Sequence, residues 1–143
     1  MGRPPDTTPE AYADTNLLVA FLAGHEHPFY AAAVGIMERM DRGEIRLVVT
    51  AIVVAEVIWS ARSALGRSRS ETAGILLDVL ASDGIEVPER AVVRRALELQ
   101  VALPRLDLAD AYLAASALLV GPATIASFDA DLDAIDGVER LIA

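Results

Sequence analysis

The sequence predicts an α/β fold with a parallel sheet. Short β-rich runs alternate with longer apolar segments of helical length along the chain, and this alternation is typical of parallel strands covered by helices. The 143 residues contain no repeat and no interior linker, and 54% of them are hydrophobic. A chain of this size and composition can bury a real core, so we expect one domain and exclude a disordered chain.

The first half of the chain is expected to contain two strands and four helices. Residues 1–9 include three Pro and predict a flexible tail, which leaves a single domain at 10–143. A Gly directly after three of the apolar segments indicates the end of a helix. The predicted elements are a strand at 11–14, helices at 15–23 and 28–42, a strand at 45–49, and helices at 51–65 and 70–81.

The second half is expected to contain three strands and two helices. Pro88 suits the first turn of a helix, where its missing N–H costs no hydrogen bond. Asp107 is a favourable N-cap for the helix that follows it. The predicted elements are a strand at 85–87, a helix from 88 to about 102, a helix at 108–120, and strands at 123–126 and 138–142.

Composition and charge exclude several classes of protein. The absence of Cys removes disulfides, thiolate catalysis and Cys-based zinc sites. A formal net charge of −9 argues against a simple nucleic-acid-binding module, but it is compatible with a nuclease whose metal cations supply positive charge. The first residues lack the apolar core of a signal peptide, and no apolar run reaches the roughly 18 residues of a membrane span. We therefore expect no membrane association and a cytoplasmic location.

Four carboxylates in apolar surroundings are the main functional signal. Asp14, Glu56, Asp110 and Asp129 each follow or interrupt a run of Ala, Val, Leu and Ile that is expected to be buried. A buried carboxylate is costly unless it is paired or binds a metal. Pairing is limited, because the chain has 21 acidic residues and 12 Arg but no Lys. Ligands in such folds lie beyond the carboxyl ends of the strands, so one crevice could collect all four acids around a divalent cation.

Each of these acids also has a structural alternative. Asp14 could be the N-cap of the helix that follows it. Glu56 has apolar neighbours on every side, so a solvated outer face is difficult to assign there; its alternatives are an ion pair with Arg62 or another Arg, or a strip of exposed helix. Asp107 suits a capping or supporting position, which makes Asp110 the preferred metal ligand of that pair.

The acidic segment after the fourth strand and the two histidines have simpler explanations. Asp129 lies nearest the end of the strand and is the best candidate there, whereas Asp133 and Asp136 are expected to be solvated. The segment lacks the Gly and terminal Glu of a calcium loop. His25 and His27 could bind zinc, but no third ligand lies nearby.

Aromatic and basic residues are assigned less specifically. Three aromatic residues are expected in the core rather than on a base-stacking platform: Phe21, Trp59 and Phe128. The densest basic cluster is a solvated surface or a surface that faces a polyanion: Arg62, Arg67 and Arg69.

Four short segments place these acids in a recognisable order. They are YADTN at 12–16, TAIVVAEV at 50–57, DLADAYLAA at 107–115 and SFDADL at 127–132. Each segment alone is a weak signal, but four in this order and spacing are specific. Together they resemble the PIN-domain ribonucleases, and in size and layout the VapC-type toxins of toxin–antitoxin pairs, over nearly the whole chain.

The resemblance implies a three-layer α/β/α sandwich, Mg²⁺ or Mn²⁺ at the carboxylates, and hydrolysis of RNA phosphodiester bonds by an endoribonuclease. The residues that would hold the metal are Asp14, Glu56, Asp110 and Asp129. Five further polar residues would position waters or the phosphate, or support the acids: Thr15, Asn16, Asp107, Ser127 and Asp131. The metal would lower the pKa of a bound water and neutralise charge on the phosphate.

The resemblance also implies a homodimer and a cognate antitoxin protein that occupies the toxin's groove. The regions 26–40 and 71–80 are candidate dimer faces, since the helical surface is unusually apolar. Two alternatives within the family are a nuclease that is not a toxin and a catalytically weak interaction protein. A phosphatase or phosphoaspartyl receiver fits less well, because such sites typically include a Lys.

Overall fold

Five short strands in the described part of the chain form two parallel sheets. The computed structural model describes residues 7–142, and within them β1 pairs with β2, β2 with β3, and β4 with β5, all in parallel register. The strands are β1 (Glu10–Tyr12), β2 (Arg46–Val48), β3 (Ile85–Glu86), β4 (Thr124–Ala126) and β5 (Glu139–Leu141). The predicted α/β sandwich with parallel strands is therefore confirmed. Of the tail predicted at 1–9, residues 1–6 lie outside the described part of the chain.

Six α-helices connect and cover these strands. They are α1 (Thr15–Ala23), α2 (Tyr30–Asp41), α3 (Ala51–Trp59), α4 (Arg69–Leu80), α5 (Arg90–Ala102) and α6 (Leu108–Leu119). A π-helical turn at Ala61–Leu65 follows α3, and a 3-10 turn at Ala130–Ala134 follows β4. Among residues 7–142, every helix is too short or too polar to cross a bilayer.

One hydrophobic cluster lies between the strands and the helices. Leu47 and Val49, on and just after the central strand β2, are fully or almost fully buried. They belong to the same buried cluster as Ile58 of α3, Leu76 of α4 and Leu97 of α5. Because the strands and helices share this core, the carboxyl ends of the strands are held in fixed positions relative to the helices that follow them.

Three details differ from the sequence-based predictions. The helix predicted at 51–65 is an α-helix only to Trp59 and continues as the π-helical turn. Pro88 lies before α5 rather than in its first turn, because Glu89 has a left-handed φ of 58° and the helix begins after it. Trp59 and Phe128 are not core residues, since their side chains are 50% and 93% exposed.

Candidate active site

Sequence-predicted site residues follow two of the strands at their carboxyl ends. Asp14 and Thr15 come directly after β1, where the N–H of Ala13 still bonds the carbonyl of Val48 on β2 at 2.9 Å. Ser127 and Asp129 come directly after β4. The remaining candidates lie on helices that begin after a strand or loop, Glu56 on α3 and Asp110 on α6.

The first group of site residues, Asp14, Thr15 and Glu56, is called the α1–α3 group below. Asp14 is the N-cap of α1, and its Oδ1 accepts a 2.8 Å hydrogen bond from the N–H of Leu17. Capping by one oxygen leaves the chemistry of Oδ2 unaffected, so the structural role does not exclude a ligand role. The hydroxyl of Thr15 donates to Oε2 of Glu56 at 3.0 Å and so connects the start of α1 to α3.

Glu56 lies on the exposed side of α3, which corrects the expectation that it is buried. It shares this side with Ile52 and Trp59, whose side chains are 59% and 50% exposed. The physical reason is that the apolar residues on this side of α3 line an open groove instead of the core. The hydrogen bond of Glu56 comes from Thr15, so the predicted alternative of an ion pair with Arg62 is not what holds this carboxylate.

The other predicted carboxylates are also accessible to water. Asp14 and Asp129 are exposed, and Asp110 is half-buried. The premise that all four acids are buried is therefore wrong: Asp14 and Asp129 follow strand ends, Asp110 lies in the first turn of α6, and Glu56 lies on the exposed side of α3. Burial therefore does not require these acids to bind a cation. The case for a metal ion rests instead on how close the acids lie to one another.

The second group, Asp107, Asp110 and Asp129, is called the α6 group. Asp107 occupies the N-cap position of α6, but its side chain makes no capping hydrogen bond. Instead its Oδ1 accepts from the indole Nε1 of Trp59 at 3.1 Å and lies 3.5 Å from a guanidinium nitrogen of Arg69. Trp59 of α3 therefore joins the two groups, since it lies one turn from Glu56.

The protonation of Asp110 is affected by partial burial and by the acids around it. Partial burial raises the pKa of the Asp110 carboxyl above its usual 3.8, and the negative charges of Asp129, Asp107 and Asp131 raise it further. Each of these neighbours disfavours the charged form of Asp110. A cation placed among them would relieve the repulsion, and perturbed acids of this kind cluster at functional sites.

The loop after β4 presents Asp129 through a set of local hydrogen bonds. The Oγ of Ser127 accepts from the N–H of Asp129 at 3.0 Å, and the Oδ1 of Asp129 accepts from the N–H of Asp131 at 2.9 Å. Arg140 on β5 fixes the loop from behind, with a 2.9 Å ion pair to Asp133 and a 3.3 Å hydrogen bond to the carbonyl of Ser127. Asp133 is thus a structural partner, and its pKa is lowered by Arg140.

The donor set suits a hard divalent cation, which prefers carboxylate oxygens. The described residues contain no three acidic or histidine side chains that converge closely enough to hold a metal ion by themselves. Mg²⁺ retains several waters and needs only one or two protein carboxylates. The pairing of Asp110 with Asp129, with Asp107 and Asp131 nearby, therefore fits such an ion, while the ligand role of each acid stays a prediction.

Three features of the site carry no clear mark in the sequence. Trp59 and Arg69 hold Asp107, and Arg140 holds the loop after β4. Ile52, Glu56 and Trp59 lie four and three residues apart, so they share one face of a helix. This spacing was the sequence signal from which an exposed face of α3 could have been considered. Arg69 belongs to the basic cluster predicted from the sequence, but the sequence did not indicate which acid it would contact.

The fold and the acidic edge define a small α/β domain with carboxylates at the ends of parallel strands. The chain belongs to the PIN domain family, whose model matches residues 11–138. PIN domains are typically nucleases that act on RNA, and they generally use divalent metal ions. No curated protein and no solved structure shows a significant match to the chain.

Proposed function

We propose that this protein is a metal-dependent endoribonuclease that hydrolyses RNA phosphodiester bonds, and that it is the VapC-type toxin of a toxin–antitoxin pair acting in the cytoplasm. The observation that carries the proposal is the grouping of Asp110 with Asp129, Asp107 and Asp131 at the ends of α6 and β4; partial burial and these charges raise the pKa of Asp110. Like charges that lie close together at the edge of a sheet destabilise the folded protein unless they bind a ligand. Membership of the PIN domain family supports the same conclusion.

Asp14, Glu56, Asp110 and Asp129 are the residues proposed to hold Mg²⁺ or Mn²⁺. The ion, when bound, would activate a water and neutralise charge on the phosphate. Thr15 fixes the orientation of the Glu56 carboxylate through its hydroxyl, and Ser127 fixes the backbone that presents Asp129. These bonds hold the carboxylates in place before substrate arrives, which lowers the cost of organising the site.

Arg69 and its neighbours are proposed to receive the RNA backbone. Arg69 forms an ion pair with Asp107 at the edge of the site. Arg62 lies within the π-helical turn and Arg67 just after it, and both are exposed. A guanidinium can bind a phosphate through two parallel hydrogen bonds. Local positive charge of this kind compensates for the net charge of −9, which otherwise repels RNA.

An apolar groove supports the proposed protein partner. The groove has a volume of about 300 Å³ and is lined by side chains of α3, α5 and α6, including the exposed Ile52 and Trp59. Glu56 lies on the same face of α3, so a protein segment in the groove would lie beside the acids. We propose that the cognate antitoxin binds there and blocks access of RNA to the site.

A homodimer is proposed as the resting assembly. Large apolar side chains on the described surface include Leu119 at 52% exposure and Val120 at 77%. Exposed apolar area of this kind commonly marks a protein interface. The candidate faces remain the regions 26–40 and 71–80, and the mass in solution at micromolar concentration, measured by light scattering, tests the proposal directly: a monomer mass contradicts it.

A cleavage assay with controlled metal content tests the enzymatic function. The purified protein should cleave single-stranded RNA in Mg²⁺ or Mn²⁺, lose this activity in EDTA, and regain it when the metal is returned. Asp14→Asn, purified in parallel, should be inactive and so excludes a contaminating nuclease. Unchanged cleavage in EDTA overturns the metal mechanism, and a folded, inactive wild type in both metals supports an interaction protein instead.

The toxin role has a separate test. Expression of the chain alone should arrest growth, and co-expression of the small reading frame next to its gene should restore growth. Arrest must depend on the active site, so Asp14→Asn should not cause it. A wild type that cleaves RNA but does not arrest growth indicates a PIN nuclease that is not a toxin.

A further inference from the structure

A second, smaller cleft lies between α1 and α2, directly beside the predicted metal-binding acids. Its volume is about 200 Å³, and its walls include Asp14, Asn16, Leu17, Phe29 and Ile36. Ala20, Ala32 and Ala33 complete the lining, and their short side chains leave the space open. The cleft is smaller than the typical pocket for a drug-sized ligand, so it suits one planar group of a larger ligand that extends over Asp14.

Phe29 gives this cleft an aromatic wall that the fold does not require. Its side chain is 69% exposed, and it occupies the N-cap position of α2 without a side-chain capping bond. The backbone of Phe29 is held by its N–H, which donates to Nδ1 of His27 at 3.1 Å, and the ring lies beside the His27 ring with centroids 6.1 Å apart. An exposed, positioned aromatic ring is a surface on which a nucleic-acid base can stack.

The loop between α1 and α2 is rich in rings as a whole. His25 packs edge-on against Tyr30, with ring centroids 4.8 Å apart, next to the His27–Phe29 pair. His27 therefore uses Nδ1 to hold the backbone, and the described residues contain no group of acidic and histidine side chains arranged for a metal. These contacts explain the two histidines as supports for the aromatic wall rather than as zinc ligands.

The chemistry of the walls favours a base over a phosphate. None of the residues that line the cleft is basic, so it offers nothing to a phosphate. Asn16 contributes an amide, which both donates and accepts hydrogen bonds and can read the edge of a base. Asp14 belongs to the wall and to the predicted metal site at once, so a nucleotide whose phosphate lies at the acids has its base within reach of the cleft.

We propose that this α1–α2 cleft is a nucleobase subsite, in which Phe29 stacks on one base next to the scissile phosphate and Asn16 reads its edge. The inference rests on the proposed ribonuclease function and deepens it, because it places the selection of the cleavage site in a particular cleft. Stacking of one base on an aromatic side chain changes affinity by roughly 5- to 150-fold.

The test combines a protein variant with a change in the RNA. Oligoribonucleotides that carry a single abasic position, placed in turn on each side of the cleavage site, are cleaved by wild type and by Phe29→Ala, and kcat/KM is measured. For wild type, one abasic position should lower kcat/KM by roughly 5- to 150-fold. Phe29→Ala should show a comparable loss on intact RNA and no further loss at that abasic position.

Matched variants separate stacking from stability. Phe29→Tyr keeps an aromatic face and should retain both the rate and the abasic effect. Val101→Ala removes an exposed apolar side chain near the end of α5 that does not line the cleft, and it should change neither. Asn16→Ala should flatten the preference among the four bases at the same position. Melting temperatures of all variants should match that of wild type, since these side chains are exposed.

The outcomes are distinct. Wild-type cleavage with an equal abasic effect in wild type and Phe29→Ala overturns the subsite alone. Wild-type cleavage with unchanged kcat/KM in Phe29→Ala, but weaker dimerisation or weaker binding of the co-expressed partner, assigns the cleft to a protein and also overturns it. Absence of cleavage by wild type in Mg²⁺ and Mn²⁺ overturns the ribonuclease function and the subsite together.

Discussion

Glu56 and Asp110 are both helical acids at the predicted site, but their surroundings differ in charge. Glu56 is exposed and accepts a hydrogen bond from the neutral hydroxyl of Thr15. Asp110 is half-buried and faces the carboxylates of Asp129, Asp107 and Asp131, which raise its pKa. Glu56 therefore has a neutral hydrogen-bond partner, whereas Asp110 is affected first by partial burial and then by repulsion from its neighbours. The comparison teaches that, under the proposed mechanism, a bound cation would relieve most repulsion in the α6 group.

The largest effect that follows from this comparison is expected from Asp110→Asn. Cleavage at saturating Mn²⁺ should fall by more than about 100-fold, because even partners that only orient a metal ligand contribute roughly 10- to 100-fold. The metal-free variant should melt at the same temperature as wild type or higher, since a repelled charge has been removed. Asp133→Asn is the matched control: it removes an acid from the neighbouring loop that is paired with Arg140, and it should remain active.

Activity and stability must both be measured to interpret the result for Asp110→Asn. Initial cleavage rates and thermal melts in EDTA separate a loss of chemistry from a loss of fold. Wild-type turnover by Asp110→Asn would remove Asp110 from the ligand set, whatever its melt shows.

A smaller loss of activity is expected from Glu56→Gln. The side chain keeps its size and can still accept the hydrogen bond from Thr15. The free energy of unfolding of the metal-free protein should therefore change by no more than about 0.5 kcal/mol, as for most surface substitutions. Cleavage should fall by roughly 10- to 100-fold, and the rise in melting temperature on addition of Mn²⁺ should shrink. Thermal melts of both proteins, each in EDTA and in Mn²⁺, provide the comparison.

The opposite result for Glu56 is also well defined. If it were half of a buried ion pair, the same change would destabilise the protein by about 3–5 kcal/mol with or without metal. A large loss of this kind, with equal responses to Mn²⁺ in both proteins, would contradict the exposed position of Glu56 and its metal role together.

The pH dependence of the metal-free protein should distinguish Asp110 from Asp133. The pKa of Asp110 is raised in the folded state, so its stabilising contribution is complete below its usual 3.8 and is lost as pH rises through the raised value. The pKa of Asp133 is lowered by Arg140, so its contribution is present above 3.8 and is lost as pH falls through the lowered value. The two acids therefore impose opposite slopes.

Melts in EDTA across the acidic range measure those slopes. Relative to wild type, Asp110→Asn should gain stability as pH rises past about 4, and Asp133→Asn should lose stability over the same rise. Parallel curves for Asp110→Asn and wild type would show that the neighbouring carboxylates do not perturb this group.

The smallest effect is expected from Thr15→Val, which removes the hydroxyl that holds Glu56 but keeps the shape of the side chain. Water can replace the lost donor at this exposed carboxylate, so the loss of stability should be about 0.5 kcal/mol. Activity should fall by less than it does in Glu56→Gln, because the charge remains and only its orientation is freed. A denaturant titration and a rate measurement suffice, and a loss equal to that of Glu56→Gln would assign Thr15 a direct role at the phosphate.

Local sequence determined the elements and the family of the chain. The alternation of strands and helices predicted the α/β fold, and the N-cap role considered as the structural alternative for Asp14 is confirmed by the hydrogen bond that its carboxylate accepts from the N–H of Leu17. These features depend on residues within a few positions of one another, so periodicity and capping rules reach them. The four acid-bearing segments also indicated the PIN family, which the match over residues 11–138 confirms.

Tertiary structure decided which acids are exposed, which are paired and which repel one another. The apolar sequence around Glu56 suggested burial, but one side of α3 borders an open groove, and helical period identifies a shared face without identifying what covers it. Asp107 occupies the N-cap position of α6, yet its carboxylate contacts Trp59 and Arg69 instead. These residues lie 48 and 38 positions away in the sequence. The raised pKa of Asp110 on α6 likewise depends in part on Asp129, which follows β4. Such contacts arise from packing between distant segments, and no local rule in the sequence encodes them.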